Sequence, residues 1–75
     1  MRNGTIRLRW WQNRRTRFRY YQPHEFNKFL KKFRSLCESR YAPIHTDVWW
    51  NGLWHSCHTI TDVKENLKHI MKGGF

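Results

Sequence analysis

Arginines alternate with apolar and aromatic residues in the first twenty positions of the chain. Residues 5–10 read Thr-Ile-Arg-Leu-Arg-Trp, and residues 16–20 read Thr-Arg-Phe-Arg-Tyr. A guanidinium group binds phosphate through paired hydrogen bonds and stacks on planar rings. Aromatic side chains stack on the bases of single-stranded nucleic acid. This combination of residue types is therefore typical of a surface that binds a nucleic acid or another polyanion.

The same alternation predicts two strands joined as a hairpin, because successive side chains of a strand point to opposite faces. The strands cover residues 5–12 and 16–21. A three-residue loop between them aligns Trp10 with Phe18 and keeps apolar and charged residues on separate faces. A two-residue loop would set Trp10 opposite Arg17 and mix the faces. We therefore expect the three-residue loop.

In this register each face of the first hairpin has its own character. One face is apolar and is expected to join the core: Ile6, Leu8, Trp10, Phe18 and Tyr20. The other face is expected to meet water and carries four arginines and two aromatic residues: Arg7, Arg9, Trp11, Arg17, Arg19 and Tyr21.

A helix over roughly residues 23–40 is predicted next, with Pro23 in its first turn. Apolar residues recur there at steps of three and four, which gives one apolar stripe. The stripe comprises Phe26, Phe29, Leu30, Phe33, Leu36, Cys37 and Tyr41. A second basic cluster lies on the outer surface of this helix, where it could contact duplex phosphates: Lys28, Lys31, Lys32 and Arg34.

The second half of the chain repeats the plan of hairpin and helix. Residues 45–50 and 53–60 flank Asn51-Gly52, a strong signal for a type I′ turn. Centring the turn there sets Trp49 opposite Trp54 and His45 opposite His58, on the face away from the core. Asp62 with Glu65 resembles a capping box. An apolar stripe follows (Val63, Leu67, Ile70 and Met71), and Gly73-Gly74 is expected to end the helix.

The predicted fold class is α+β with the order ββαββα. Two helices pack on one face of a four-stranded antiparallel sheet, because each unit offers one apolar sheet face and one apolar helix stripe. Residues 1–75 form a single small basic domain, with flexible ends at 1–4 and 73–75. The two cysteines, Cys37 and Cys57, both fall on core-facing positions, so we expect buried thiols.

The charge is concentrated in the first half of the chain. The formal net charge is +10, and residues 1–34 hold eleven basic residues against one acid. Such asymmetry favours a polyanionic partner. No stretch has the roughly 18 consecutive apolar residues of a membrane span, and no secretory signal is visible. Two cysteines are too few for a disulfide scaffold, so we expect a cytoplasmic setting.

Catalysis and metal binding are not expected. His55, Cys57 and His58 lie close in sequence, but alternation sends His58 to the other face, and no zinc-binding spacing is present. The acids are scattered, and neither Ser nor Cys has a convincing base partner. We therefore expect a protein that is not an enzyme and has no cofactor and no metal site.

The leading hypothesis is a small nucleic-acid-binding protein in which arginines hold the phosphate backbone and aromatic residues stack on bases. The binding residues are expected to be Arg7, Arg9, Trp11, Arg14, Arg15, Arg17, Arg19, Tyr21, Lys28, Lys31 and Lys32. DNA and RNA are both open as ligands.

Two alternatives use the same surface. The first is a small interaction protein, of the size that phages and plasmids encode, that binds and inhibits a host protein or ribonucleoprotein. Its interface would include Trp49, Trp54, His45 and His58. The aromatic patch could equally form a homodimer seam. The second alternative is binding to an anionic membrane surface.

Overall fold

The computed structural model describes residues 1–41 and 43–71, which form four strands and two helices in the order ββαββα. The elements are β1 (Ile6–Gln12), β2 (Arg15–Tyr21), α1 (Phe26–Glu38), β3 (Ile44–Trp50), β4 (Leu53–Cys57) and α2 (Ile60–Ile70). A 3₁₀ turn, Pro23–Glu25, leads into α1. Neither of the two described helices is long and apolar enough to cross a bilayer.

The strands form one antiparallel sheet in the order β2-β1-β3-β4, so β2 and β4 are the edges. The pairing of β1 with β3 continues just before β1. The Gly4 N–H donates to the Trp49 carbonyl at 2.8 Å, and the Trp49 N–H donates to the Thr5 carbonyl at 2.9 Å. This pairing begins inside segment 1–4, which the sequence predicts to be a flexible end. The other predicted end, 73–75, and the helix stop at Gly73-Gly74 lie outside the described residues.

The core lies on one face of the sheet, between the strands and both helices. It is built from alternate residues of the strands and from the apolar stripes of the helices. Its buried members are Ile6, Leu8, Trp10, Tyr21, Phe26, Phe29, Leu36, Val48, Cys57, Val63 and Leu67. The predicted α+β class and the packing of two helices on one sheet face are confirmed.

The second hairpin follows the predicted register, because Asn51 and Gly52 form its turn with φ values of 52° and 75°. Trp49 lies opposite Trp54, as expected. The strand predicted to reach residue 60 ends at Cys57, because α2 has already begun at Ile60.

The start of α2 also differs from the predicted capping box. Thr59, not Asp62, is the N-cap residue: its hydroxyl accepts a hydrogen bond from the Asp62 N–H at 3.1 Å. The Asp62 carboxylate accepts in return from the N–H groups of Thr59 and His58. The true box is therefore Thr59 with Asp62, because a threonine cap three residues before an acid satisfies the same free amides.

The predicted register of the first hairpin is wrong. Trp10 pairs with Arg17, and Gln12 pairs with Arg15, so the loop contains only Asn13 and Arg14. Both loop residues have positive φ, 52° and 63°, as a type I′ turn requires. The twist of that turn matches the twist of the strands, and this outweighs the unfavourable left-handed backbone of Arg14.

The one-residue shift exchanges the two faces of β2. Phe18 and Tyr20, predicted for the core, are exposed. Tyr21, predicted to meet water, is buried with its ring centroid 5.9 Å from that of Phe29. Arg17 and Arg19 turn to the side of the helices. That side of β2 accepts arginines because β2 is an edge strand, where long side chains can carry their charge out to water.

The expectation of two buried thiols is correct for Cys57 and wrong for Cys37, which is exposed. Cys37 lies one residue from the end of α1, at the border of the apolar stripe, and is not among the buried residues of the helix. Burial raises the pKa of the Cys57 thiol, although a hydrogen bond from the Asn66 amide at 3.3 Å acts in the opposite direction.

We predict that Arg14→Gly stabilises the protein by about 0.5–1 kcal/mol, because glycine adopts positive φ without a steric penalty. Urea denaturation would measure the change. Arg14→Gln is the control for the lost charge and should give less than half of the gain. Gly52→Ala should destabilise the protein, because alanine is strained at the positive φ of this position. The added Cβ would meet no atom within 4 Å, so backbone strain is the only cost. Equal stability of the Gly and Gln variants would contradict the turn assignment.

We also predict that a thiol reagent distinguishes the two cysteines of the native protein. Cys37 should react at once, whereas Cys57 should react only as the protein unfolds, because it is buried and its raised pKa disfavours the reactive thiolate. Mass spectrometry of the native protein after a short exposure should show one modification. Two modifications at the same rate would contradict the burial of Cys57.

Candidate nucleic-acid interface

The side of the sheet opposite the helices, here called the open face, carries a mixture of rings and charges. Its residues follow from the register of the four strands. They are Arg7, Arg9, Trp11, Thr16, Phe18, Tyr20, His45, Asp47, Trp49, Trp54 and Ser56. No helix covers this face among the described residues, so its side chains shield one another or meet water.

The open face contains only part of the site predicted from the sequence. Six of the expected residues are present: Arg7, Arg9, Trp11, His45, Trp49 and Trp54. Arg17, Arg19 and Tyr21 lie on the opposite side, and His58 follows the end of β4. Phe18 and Tyr20 were missed as members of this face. Asn13 is the residue that indicates the correct register, because asparagine tolerates the left-handed backbone of a two-residue turn. A two-residue turn places Phe18 and Tyr20 on the open face.

A single buried carboxylate holds the two arginines of the open face. Asp47 lies directly opposite Arg7, and its Oδ2 accepts hydrogen bonds from Arg7 Nε at 3.1 Å and from Arg9 Nε at 2.9 Å. The Asp47 side chain is 3% exposed, against 19% for Arg7 and 31% for Arg9. Two cations share one anion, so the cluster keeps one net positive charge.

The Trp54 ring covers the guanidinium group of Arg7, and its ring contacts extend from one edge strand of the sheet to the other. The guanidinium carbon of Arg7 lies 4.2 Å from the centre of the Trp54 ring, a cation–π contact. Trp54 also meets Trp49 edge to face, with 5.1 Å between centroids. Tyr20 projects from the opposite edge strand and reaches within 6.0 Å of Trp54. Arg7 is therefore packed between Asp47 and a ring, whereas Arg9 is the more accessible of the two.

Three rings of the open face remain about half exposed. The exposed fractions are 49% for Trp11, 47% for Phe18 and 50% for Tyr20. Arg9 lies next to these rings, because it pairs directly with Phe18 in the sheet. Exposed rings beside a fixed cation form a surface suited to planar, negatively charged ligands.

Apart from Arg2, the remaining cations of residues 1–34 lie along β2, its turn and α1, and we call this surface the basic edge. It comprises Arg14, Arg15, Arg17, Arg19, Lys28, Lys31, Lys32 and Arg34. Lys32 of α1 reaches the sheet next to β2, since its Nζ lies 5.1 Å from the ring centre of Trp10, the β1 residue opposite Arg17. In residues 1–41 and 43–71, the only ion pair of the basic edge is Lys28 with Glu25 at 3.8 Å. Most of its charge therefore has no ion-pair partner within these residues.

Metal-ligating side chains are not grouped in the described part of the chain. No set of three or more His, Cys, Asp or Glu residues is arranged there to hold a metal ion. His55 instead has its Nε2 within 3.0 Å of the Trp50 carbonyl, and the Cys57 thiol donates to the His55 carbonyl at 3.7 Å.

We predict that Asp47→Asn lowers the free energy of unfolding by about 2 kcal/mol, because hydrogen bonds to charged groups contribute roughly 1.5–3 kcal/mol. A double-mutant cycle with Arg9→Gln, followed by urea denaturation, measures the coupling. Ser56 lies directly opposite Asp47 on β4, so Ser56→Ala is the control and should have little effect. Additive changes for Asp47 and Arg9 would show that their contact does not stabilise the fold.

Comparisons with known protein families, with curated proteins and with solved structures found no match for this chain. Its function has to be inferred from the open face and the basic edge. The two surfaces meet at β2, whose side chains alternate between them.

Proposed function

We propose that this chain binds single-stranded nucleic acid, with bases stacked on the open face and phosphates held by the basic edge. The observation that carries the proposal is the group of half-exposed rings, Trp11, Phe18 and Tyr20, on a sheet face that the described helices leave uncovered. Stacking a base on an aromatic side chain contributes about 1–3 kcal/mol.

The spacing of the rings favours a single strand over a duplex. Phe18 and Tyr20 lie two residues apart on β2, which separates them by about 6.6–6.8 Å along the strand. Bases in a duplex are stacked at about 3.4 Å and are closed to protein rings, whereas the bases of a single strand can spread apart. Separate rings therefore suit splayed bases.

The charges of β2 favour the same ligand. Arg17 and Arg19 alternate along β2 with Phe18 and Tyr20. Each ring on the open face therefore has an arginine as its neighbour in sequence, and that arginine points to the helix side of the sheet. A nucleic-acid strand that crosses the open face at β2 would bring its phosphates to these arginines. Arginine suits this role because its planar fork binds phosphate in a bidentate manner.

We predict that short single-stranded DNA or RNA binds more tightly than a duplex of the same length, and that salt weakens the binding. Fluorescence anisotropy at several salt concentrations would measure both. The logarithm of the affinity should fall with the logarithm of salt concentration by about 0.7 for each phosphate contacted. Absence of binding at low salt would refute the proposal, and a duplex preference would refute the role of the rings.

Two matched variants test the open face. Phe18→Ala should reduce single-strand affinity at least fivefold, since about 1 kcal/mol of stacking is lost. Leu53→Ala is the control: Leu53 is also apolar and is 63% exposed, but it lies on the other side of the sheet. Equal effects of the two substitutions would indicate general apolar contact and not base stacking.

Leu53, which is 63% exposed on the helix side of the second hairpin, favours a second candidate function, in which this hairpin docks on a protein. The surrounding half of the chain is neutral overall, with four basic and four acidic residues in 35–75. The two functions separate by nuclease treatment. A complex that survives nuclease and is lost on Leu53→Ala would favour a protein partner, whereas loss after nuclease would favour nucleic acid.

A further inference from the structure

A pocket of about 170 Å³ lies on the open face, where the β1–β2 hairpin approaches the start of β3. Four of its wall residues belong to the open face by their register: Arg9, Trp11, Thr16 and His45. Trp10 and Pro43 complete the lining. The pocket is the place where a half-exposed ring, an oriented guanidinium group and two hydrogen-bonding side chains occur together.

Arg9 makes this pocket suitable for an anion. Its Nε is engaged by Asp47 at 2.9 Å, which fixes the guanidinium group and leaves its two Nη groups free of any hydrogen bond to the described residues. No carboxylate lines the pocket, and Asp47 itself is buried. The single net charge of the Arg7–Asp47–Arg9 cluster is balanced by one phosphodiester, which carries one negative charge. Fixed guanidinium donors bind such a group in a bidentate manner.

Trp11 and its neighbours make the pocket suitable for a base. The Trp11 ring is about half exposed and offers a face for stacking. Thr16 lies directly opposite Trp11, and His45 lies directly opposite Arg9. Neither the Thr16 hydroxyl nor the His45 ring has a hydrogen-bond partner in the part of the chain that the structure describes. Both groups can donate or accept, as the Watson–Crick edge of a base requires.

The volume of the pocket is close to that needed for a single six-membered ring. A protein cavity of about 150 Å³ holds one benzene molecule. A pocket of about 170 Å³ therefore matches the single ring of a pyrimidine. The fused second ring of a purine would extend beyond the walls and gain no contact inside the pocket.

We infer that this pocket binds one pyrimidine nucleotide of the bound strand. Its base stacks on Trp11 with its polar edge toward Thr16 and His45, and the adjoining phosphate binds Arg9. The inference rests on the proposed function and adds a base preference to it. Asp47 is a positioning residue here, because it acts on the ligand only through Arg9.

The test compares oligothymidylate with oligoadenylate of equal length, each titrated by fluorescence anisotropy. We expect the wild-type protein to prefer oligothymidylate by roughly tenfold, which corresponds to about 1.4 kcal/mol of discrimination at one base position. Thr16→Val preserves the shape of the side chain and removes its hydroxyl, and His45→Ala removes the ring. Together they should reduce the preference to about twofold or less. Comparing the ratio between proteins cancels the self-stacking of free oligoadenylate, which is the same in every titration.

Phe18→Ala is the matched control, because Phe18 belongs to the open face but does not line the pocket. It should weaken both oligonucleotides alike and leave their ratio unchanged. Arg9→Gln should also weaken both, and it should reduce the salt slope by about 0.7, the value for one phosphate contact on a single strand. Thr16 and His45 are exposed, so their variants should keep the thermal midpoint of the wild type, which circular dichroism would verify.

The outcomes separate the two proposals. Binding of neither oligonucleotide at low salt would refute the proposed function and this inference with it. Tight binding with no pyrimidine preference, or with a preference that the Thr16 and His45 variants leave unchanged, would refute the pocket alone. A preference that these variants abolish and Phe18→Ala preserves would support it.

Discussion

The two-residue turn at Asn13 and Arg14 determines what every side chain of β2 can do. Because side chains alternate along a strand, the length of this turn decides whether rings or arginines face the helices. The observed turn sends Phe18 and Tyr20 to the open face and Arg17 to the side of α1. A turn longer by one residue would bury the rings and place arginines on the open face, so both surfaces depend on this turn.

Asp47 is the second constraint, because it sets how much charge the open face presents. One buried carboxylate binds two guanidinium groups, and the Trp54 ring covers that of Arg7. The arginines are thus ordered before any ligand arrives, which lowers the entropy lost on binding. As a result, half of the arginine charge of the open face is compensated, and one net positive charge remains there. The larger part of the uncompensated charge lies along the basic edge.

The sequence predicts the second hairpin better than the first for a physical reason. Gly52 adopts positive φ at no cost, so the turn at Asn51-Gly52 has one plausible register. The first hairpin has no glycine, and separation of apolar from charged residues then favours the wrong loop. That criterion fails because β2 is an edge strand, where Arg17 can lie beside Trp10 and still reach water. The Asp47 contacts require that β1 pairs with β3, a long-range neighbour relation that local spacing does not reveal.

The two halves of the chain contribute different parts of one surface. The first hairpin supplies most of the exposed rings and half of the cations of the basic edge, but two strands alone are marginally stable in water. The neutral second half supplies two further strands, the carboxylate that orders Arg9 and the ring that covers Arg7. Because β1 pairs with both β2 and β3, the basic hairpin is held in the sheet while β2 remains an edge strand. A single-stranded nucleic acid stacked on the open face would cross this free edge, and its phosphates would then lie near the arginines on the helix side of β2.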